Sequence, residues 1–425
     1  MDNLKDKTVL VMDWGLTVEI ALKLAEKFGR VYYFTNWADA FPSSNKAQIG
    51  RGLEKFGVFK VDYFWEYVDE VDLICFFDTY GQDVIEYLRG KGKRVFGAGM
   101  AEFLETNRKY GREVQKNAGL PTQESKVVVG LKALGDEIKK GGDYFVKLNA
   151  FRGDIETFYA KDYQSSKIYL DALSVSLGPR QDDVEFMLEK KIEGIEPGYD
   201  GLVVDGKYSS SGMWGYEKKG SGYIGQTVKN EDVPESIKLV NDKLSSFFAG
   251  MKTRSFWSSE VMVDKNKTGY LIDPTVRVPQ PVGLALHTEI WKNLPEFIWA
   301  AGNGELIDLI PAYKYGCGTA LASDWAGEHW LEVTVDPAVR QYIKFRALMM
   351  QGDKYFIVPG PASESVCSVI GLGNTVDEAV EHLKENIKGV SGFELDADTG
   401  GIDNVIEEIK QGAAFGLPDF TVGVK

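Results

Sequence analysis

Histidine is nearly missing from this chain: there are three in 425 residues, His287, His329 and His382. That shortage leaves little room for histidine-metal sites or for serine–histidine–aspartate catalysis. Cysteine is as sparse. Cys75, Cys317 and Cys367 are odd in number and far apart, so they form neither a zinc pattern nor a disulfide framework, and a reducing cytoplasm is the expectation. Cys317 stands between two glycines with no histidine or basic residue adjacent, a poor setting for a reactive thiol. No apolar run approaches the length of a membrane span. Residues 1–7 are polar and the apolar stretch behind them covers only 9–12, so no secretory leader is expected. Repeats, low-complexity tracts and long linkers are lacking. Positive charge is in deficit, with a formal net charge of -14, and such a surface repels phosphate backbones, which argues against broad nucleic-acid binding.

What is present describes an ordinary globular protein, 44% hydrophobic and 26% charged. Its length exceeds the roughly 250–300 residues at which one core stops growing, so several domains are expected. Apolar runs at 8–12, 31–34, 71–77 and 94–97 alternate with helical spacing at 17–28 and 82–89, which predicts a parallel sheet with helices on its faces. A helix is expected over 101–118, ending at Gly119 before Pro121. Strands at 125–129, 144–148, 185–191 and 201–204 follow, then a helix at 234–248, strands at 256–263 and 270–272, and a helix at 287–301. From 313 onward, strands at 330–335, 355–358 and 366–370 and helices at 376–387 and 402–411 read as a third unit.

Three stretches carry chemistry. An apolar strand ends in Lys147 and runs into a loop with Arg152, Gly153, Glu156 and Thr157, where backbone N–H groups can meet phosphate oxygens; a solvated Arg-Gly-Asp turn is the plain alternative. A strand through Glu189, Lys190 and Ile192 offers backbone groups to the rim of an adenine, and Glu196 beyond Gly194 can take ribose hydroxyls; a strand followed by an exposed charged loop is the alternative. A β-hairpin over 257–277 places Glu260 and Asp273 on opposite strands. Two carboxylates that close repel unless they share a hard cation such as magnesium, and Arg277 stands ready for a phosphoryl group or carboxylate; solvated strand ends are the alternative. Trp14, Trp214 and Trp257 are candidates to stack on substrate or, as buried tryptophans more often do, to fill core. The pair Lys218–Lys219 is either a phosphate anchor or a solvated turn.

Lysine strand, glycine loop, Glu-x-x-Ile-x-Gly-x-Glu strand and a hairpin closing on Asp-Pro-Thr-x-Arg, in that order, resemble the ATP-grasp superfamily of ligases. Residues 104–122 add a match, resembling the family's Ser/Asp-Lys, helix, Gly-Leu-Pro segment. Within the superfamily the chain resembles glycinamide ribonucleotide synthetase (phosphoribosylamine–glycine ligase), at 71–74, at 94–99, at Thr275-Val-Arg277-Val-Pro-Gln-Pro and in the tail 366–381. The resemblance implies a multidomain α/β fold: a Rossmann-like parallel sheet at 1–103, an ATP-grasp α+β domain at 104–312 with a nucleotide-clamping subdomain at about 123–190, and a small α+β domain at 313–425.

By the same resemblance Arg108 and Lys147 contact ATP phosphates, Arg152, Gly153, Glu156 and Thr157 form the loop over them, Glu189, Lys190 and Ile192 hold adenine and Glu196 ribose. Glu260, Asp273 and Thr275 hold Mg2+ or Mn2+, and Arg277 meets the reacting phosphate. The implied activity is an ATP-dependent carboxylate–amine ligase working through an acyl phosphate, with glycine or another amino acid as carboxylate and a ribosylamine or a modified nucleotide or sugar amine as acceptor, in a cytoplasmic monomer or homodimer. A non-catalytic ATP- or metabolite-binding protein and a carboxylating or kinase-type ATP-grasp enzyme are the alternatives. The chain departs from the family pattern at Asp13-Trp14-Gly15, where a glycine turn is usual, at Arg108 and Thr275, where lysine and asparagine are usual, and at 211–223, where the substrate segment differs.

Overall fold

The computed structural model describes residues 2–35, 45–149, 157–218, 222–360, 365–397 and 400–421. The chain begins with a parallel sheet. Thr8–Asp13 lies at its centre, flanked by Arg30–Thr35 and Val58–Val61 on one side and by Leu73–Phe76 and Val95–Phe96 on the other. Val9, Leu10 and Val11 are all buried, the signature of a strand covered on both faces. The strand Val58–Val61 escapes the sequence reading because Lys60 interrupts its apolar run. Strand order reverses beside Thr8–Asp13, so the loops after it and after Leu73–Phe76 open the crevice where such sheets bind ligands.

The helix expected over 101–118 is two. Phe103–Thr106 stops at Asn107, whose extended backbone (φ -130, ψ 93) lets its side chain accept from Tyr110 N–H and start the helix Arg108–Asn117. The expected helix at 287–301 is likewise Val282–Ile290 and Leu294–Gly302. Trp291 between them is extended and bridges to Pro311, and Pro295 suits the first turn of the second helix.

Ser125–Val129, Glu185–Lys190, Tyr144–Leu148 and Thr157–Ala160 pair antiparallel, in that order, and the helices Leu131–Lys139 and Tyr163–Leu177 cover one face. Leu134, Ile138, Phe186 and Leu188 pack there as a core separate from the main one. The largest sheet runs Gly194–Ile195, Arg254–Asp264, Pro197–Val204, Ser211–Lys218, Gly222–Lys229, Tyr315–Ala322, Ser365–Gly373 and Ile343–Phe345, with Gly269–Thr275 paired to Arg254–Asp264. Helix Glu235–Gly250 closes its back through Ile237, Val240, Leu244 and Phe248, a helical stripe. Hydrogen bonding crosses residue 312 unbroken, because Tyr223 to Gln226 pair with Gly318 to Tyr315; the chain beyond 313 extends this sheet and adds a small sheet of its own around Leu331–Val335. Among the described residues no helix is long and apolar enough to cross a membrane.

Candidate functional site

A cavity of about 580 Å³ opens between the small antiparallel sheet and the front of the large one. Every described member of the expected set lines it. Lys147, Thr157, Glu189 and Lys190 come from the small sheet and Ile192 and Glu196 from the segment after it. Glu260, Asp273 and Thr275 come from the hairpin, with Arg277 beyond it and Arg108 from the helix start. Arg152, Gly153 and Glu156 lie outside the described residues, as does Lys219.

On the small sheet, Lys147 Nζ lies 3.1 Å from Glu189 Oε2 and donates to Ile272 O at 3.2 Å. The other oxygen of Glu189 takes the Nε of Arg112. Arg112 also donates to Leu271 O at 2.5 Å and Ile272 O at 2.8 Å, so one guanidinium ties helix, small sheet and hairpin together. Burial pushes the Glu189 carboxyl up, but Lys147 and Arg112 outweigh it and hold the group at about 2. The side chain of Glu189 therefore sets Lys147 in place. The strand stops at Lys190, and the N–H groups of Lys190 and Lys191 donate to Glu124 O and Asp143 O, so backbone donors for a purine rim begin no earlier than Ile192. The expectation of a strand running through Ile192 is corrected accordingly.

Arg108 is the first residue of its helix. Its Nε donates to Leu148 O at 3.1 Å and its Nη1 lies 3.9 Å from Asp273 Oδ1, which points the guanidinium at the hairpin. On the hairpin Glu260 and Asp273 are direct cross-strand partners, and Ser258 and Thr275 are partners two positions on. A bulge between Glu260 and Val261 shifts the register just past the carboxylates, a device that re-aims side chains beside sites. Two carboxylates and a hydroxyl are an all-oxygen set, which suits Mg2+ or Mn2+ because these ions take one or two carboxylates and complete their shell with water and phosphate. Among the described residues no group of three or more His, Cys, Asp and Glu could hold a metal, so this smaller set is the one on offer.

Arg277 is clamped from behind. Its Nε donates to Glu105 Oε1 at 2.9 Å and lies 3.5 Å from Asp78 Oδ1, while Glu105 Oε2 accepts from Val276 N–H. Glu102, one turn earlier, takes the N–H groups of Tyr80 and Gly81 and so pins the loop that carries Asp78; burial raises its carboxyl to about 7. Sequence reasoning missed Asp78, Glu105 and Arg112 as partners. Glu105 and Arg112 lay inside a segment already matched, 104–122, but Asp78 had no signal, and only the fold brings Asp78 and Glu105 to Arg277.

The other end of the cavity is lined by Gly215, Glu217 and Tyr223, from the segment 211–223 expected to differ as the substrate segment, and by Gly198, Asp200 and Ser258, of which sequence reasoning gave no site role to Gly198 or Asp200. Asp200 is buried, and its Oδ2 accepts from the Tyr223 hydroxyl at 2.7 Å. Trp214 and Trp257 are fully buried, and Trp257 donates its indole N–H to Asn241 of the helix on the sheet's back at 2.7 Å, so core is what they fill. Trp14 bridges the crevice of the first sheet by donating to Thr79 O at 2.9 Å. Cys317 is buried and its thiol pushed up to about 12, which removes it as a nucleophile.

No family model matches this chain, and no curated protein is similar to it at a significant level. Solved structures are. Phosphoribosylamine–glycine ligase from Thermotoga maritima superposes with a TM-score of 0.69 at 17% identity, covering 91% of this chain and 98% of that one. The biotin carboxylase domain of Hydrogenobacter thermophilus 2-oxoglutarate carboxylase, in complex with MgADP, ADP and bicarbonate, gives 0.65 at 13%, covering 98% and 96%. L-amino acid ligase from Bacillus licheniformis gives 0.62 at 15%, covering 92% and 100%. These are multidomain ATP-grasp proteins, and the fold of this chain is the ATP-grasp fold.

Proposed function

We propose that this chain is an ATP-dependent carboxylate–amine ligase, activating a carboxylate as an acyl phosphate and passing it to an amine. The observation that carries this reading is the convergence, in one cavity, of the cross-strand pair Glu260 and Asp273 with the cations Arg108, Lys147 and Arg277. ATP supplies the phosphoryl group. Glu260, Asp273 and Thr275 would hold a divalent metal ion, which would neutralise phosphate charge there. Lys147, set by Glu189, and Arg108 hold phosphate oxygens, and Arg277 faces the group in transfer with its fork oriented by Glu105 and Asp78. Fixed cations of this kind stabilise developing charge without reorganising. The small sheet closes over the nucleotide and keeps water from the activated carboxylate. No histidine is required, which agrees with a chain that has three.

Phosphate release from MgATP, followed across a panel of amino acids with and without amine acceptors and with and without bicarbonate, tests the reading. Release that needs one amino acid and drops at least about 100-fold in Asp273→Asn is the expected result. Release that needs bicarbonate instead would mark a carboxylating enzyme. MgATP binding by calorimetry with no release under any condition would mark a binding protein.

A further inference from the structure

Along the cavity face of the large sheet, the row that starts with Asp273 and Glu260 continues as Gly198, Gly215, Gly225 and Gly316, each the direct partner of the one before. Four neighbouring strands thus carry no side chain at this level. The bare row has an occupant on one side. A Cβ on Gly225 would fall 2.5 Å from the Tyr223 hydroxyl oxygen, so the phenol ring lies across the sheet there and delivers its hydroxyl to Asp200, two strands away. At Gly198 the nearest neighbour of such a Cβ is Ser259 O at 3.2 Å, and the space in front is cavity. Asp200 pairs with Ser258 across the strands, two residues along from Gly198 and Glu260, which makes it the diagonal neighbour of Glu260 on the same face, about 7–8 Å away.

Among the described residues the groups acting on Asp200 are hydroxyls, from Tyr223 and Ser258, with no lysine or arginine among them. This carboxyl is 95% removed from water, burial pushes it above the usual carboxylate range, and a cation brought by a ligand would favour its charged form. Glu217 lines the rim on the same face, two residues beyond Gly215. Among the described residues the cations that line the cavity, Arg108, Lys147, Lys190 and Arg277, all stand with the nucleotide-side residues.

We infer that Asp200, oriented by Tyr223 and Ser258, is the recognition site for the acceptor, and that the acceptor is a primary amine bound as its ammonium form and carrying no phosphate. This rests on the ligase reading for its place in the reaction. An ammonium over Gly198 meets Asp200 on one side; passing one N–H proton to the Asp200 carboxylate frees the lone pair with which the amine attacks the activated carbonyl carbon, and phosphate leaves. A phosphorylated amine brings two negative charges toward Asp200, and like charges at short range reject it.

The test uses the full-length chain with MgADP and two matched pairs of probes, ethanolamine against O-phosphoethanolamine and glucosamine against glucosamine 6-phosphate, followed by calorimetry and thermal shift. At least one free amine is expected to bind 10-fold or more tighter than its phosphate ester, with that preference erased in Asp200→Asn and reduced in Tyr223→Phe. Tyr223→Phe keeps the test open if Asp200→Asn does not fold. In the complete reaction, hydroxylamine traps the activated carboxylate, and the ratio of amide formed to hydroxamate trapped is expected to fall at least 30-fold in Asp200→Asn. Tighter binding of the phosphate esters, no discrimination within either pair, or amine binding unchanged in both variants would overturn the inference. Amine preference without phosphate release in any condition would sink the ligase reading and leave the subsite standing; phosphate release without amine preference would do the reverse.

Discussion

At the scale of single residues, the site depends on acids that act through their basic neighbours. Glu189 sits between Lys147 and Arg112, and removing it leaves two buried cations short of a partner, the costly way to break a buried pair. Its carboxyl stands at about 2 when folded against an ordinary 4.5. A depressed carboxyl stabilises the fold above its unfolded value and loses that contribution as pH falls through the folded value. Glu189→Gln is therefore expected to cost on the order of 3 kcal/mol at pH 7, with the gap to the wild type closing between pH 4.5 and 2 in urea titrations. A gap independent of pH over that window would show that the charge is not what Glu189 contributes. On the ligase reading Arg277 offers a fork to the reacting group, and a lysine there keeps the charge but not the geometry. Arg277→Lys is expected to lower kcat about 100-fold or more while ATP affinity by calorimetry changes little.

At the scale of elements, breaks in regular structure place the reactive groups. Asn107 ends one helix and caps the next, which puts Arg108 at a helix start beside the cavity. Asn107→Ala removes the cap and is expected to cost about 1 kcal/mol of stability by chemical denaturation. Because Arg108 moves with the helix start, the KM for ATP should rise in the same variant. The hairpin makes the same point. Its alternation alone puts Glu260 and Asp273 on facing strands, but the bulge after Glu260 decides how they sit. The small antiparallel sheet has its own core, so it can move as a unit over the cavity. Phe186→Ala, at the centre of that core, is expected to cost about 3–5 kcal/mol and to speed amide exchange in the small sheet more than in the large one.

At the scale of the whole molecule, one sheet includes strands from Gly194 to Gly373 and ties together residues far apart in sequence. Gly222–Lys229 pairs with Tyr315–Ala322, which pairs with Ser365–Gly373. A fragment ending at residue 312 would expose the whole edge of Gly222–Lys229, a template for pairing with other chains. Such a fragment is expected to aggregate or lose cooperative unfolding, as read by size-exclusion chromatography and thermal scans; a monomeric, cooperative fragment would show that the first 312 residues stand alone.

The candidate site was legible in the sequence where local chemistry is dense. Lys147 at a strand end, the acidic hairpin with Glu260 and Asp273, and Arg277 beyond it announce themselves by residue type and spacing, because strand alternation and turn residues act over a few positions. The parallel first sheet was legible for the same reason, through unbroken apolar runs between helical stretches. The two helix breaks were not read: Asn107 carries a local N-cap signal inside an otherwise helical pattern, and Trp291 leaves its helix by bridging to Pro311, a contact that the local pattern does not encode. The strand Val58–Val61 was hidden by Lys60, whose ammonium is accommodated beside the rings of Tyr33 and Phe34. Tertiary structure alone decided which acids hold Arg277, that Arg112 locks Glu189, and that Asp200 meets Tyr223 across a row of glycines. Those contacts join segments up to about 200 residues apart, and sequence spacing carries no information about such pairs until hydrogen-bond register has aligned the strands that bear them.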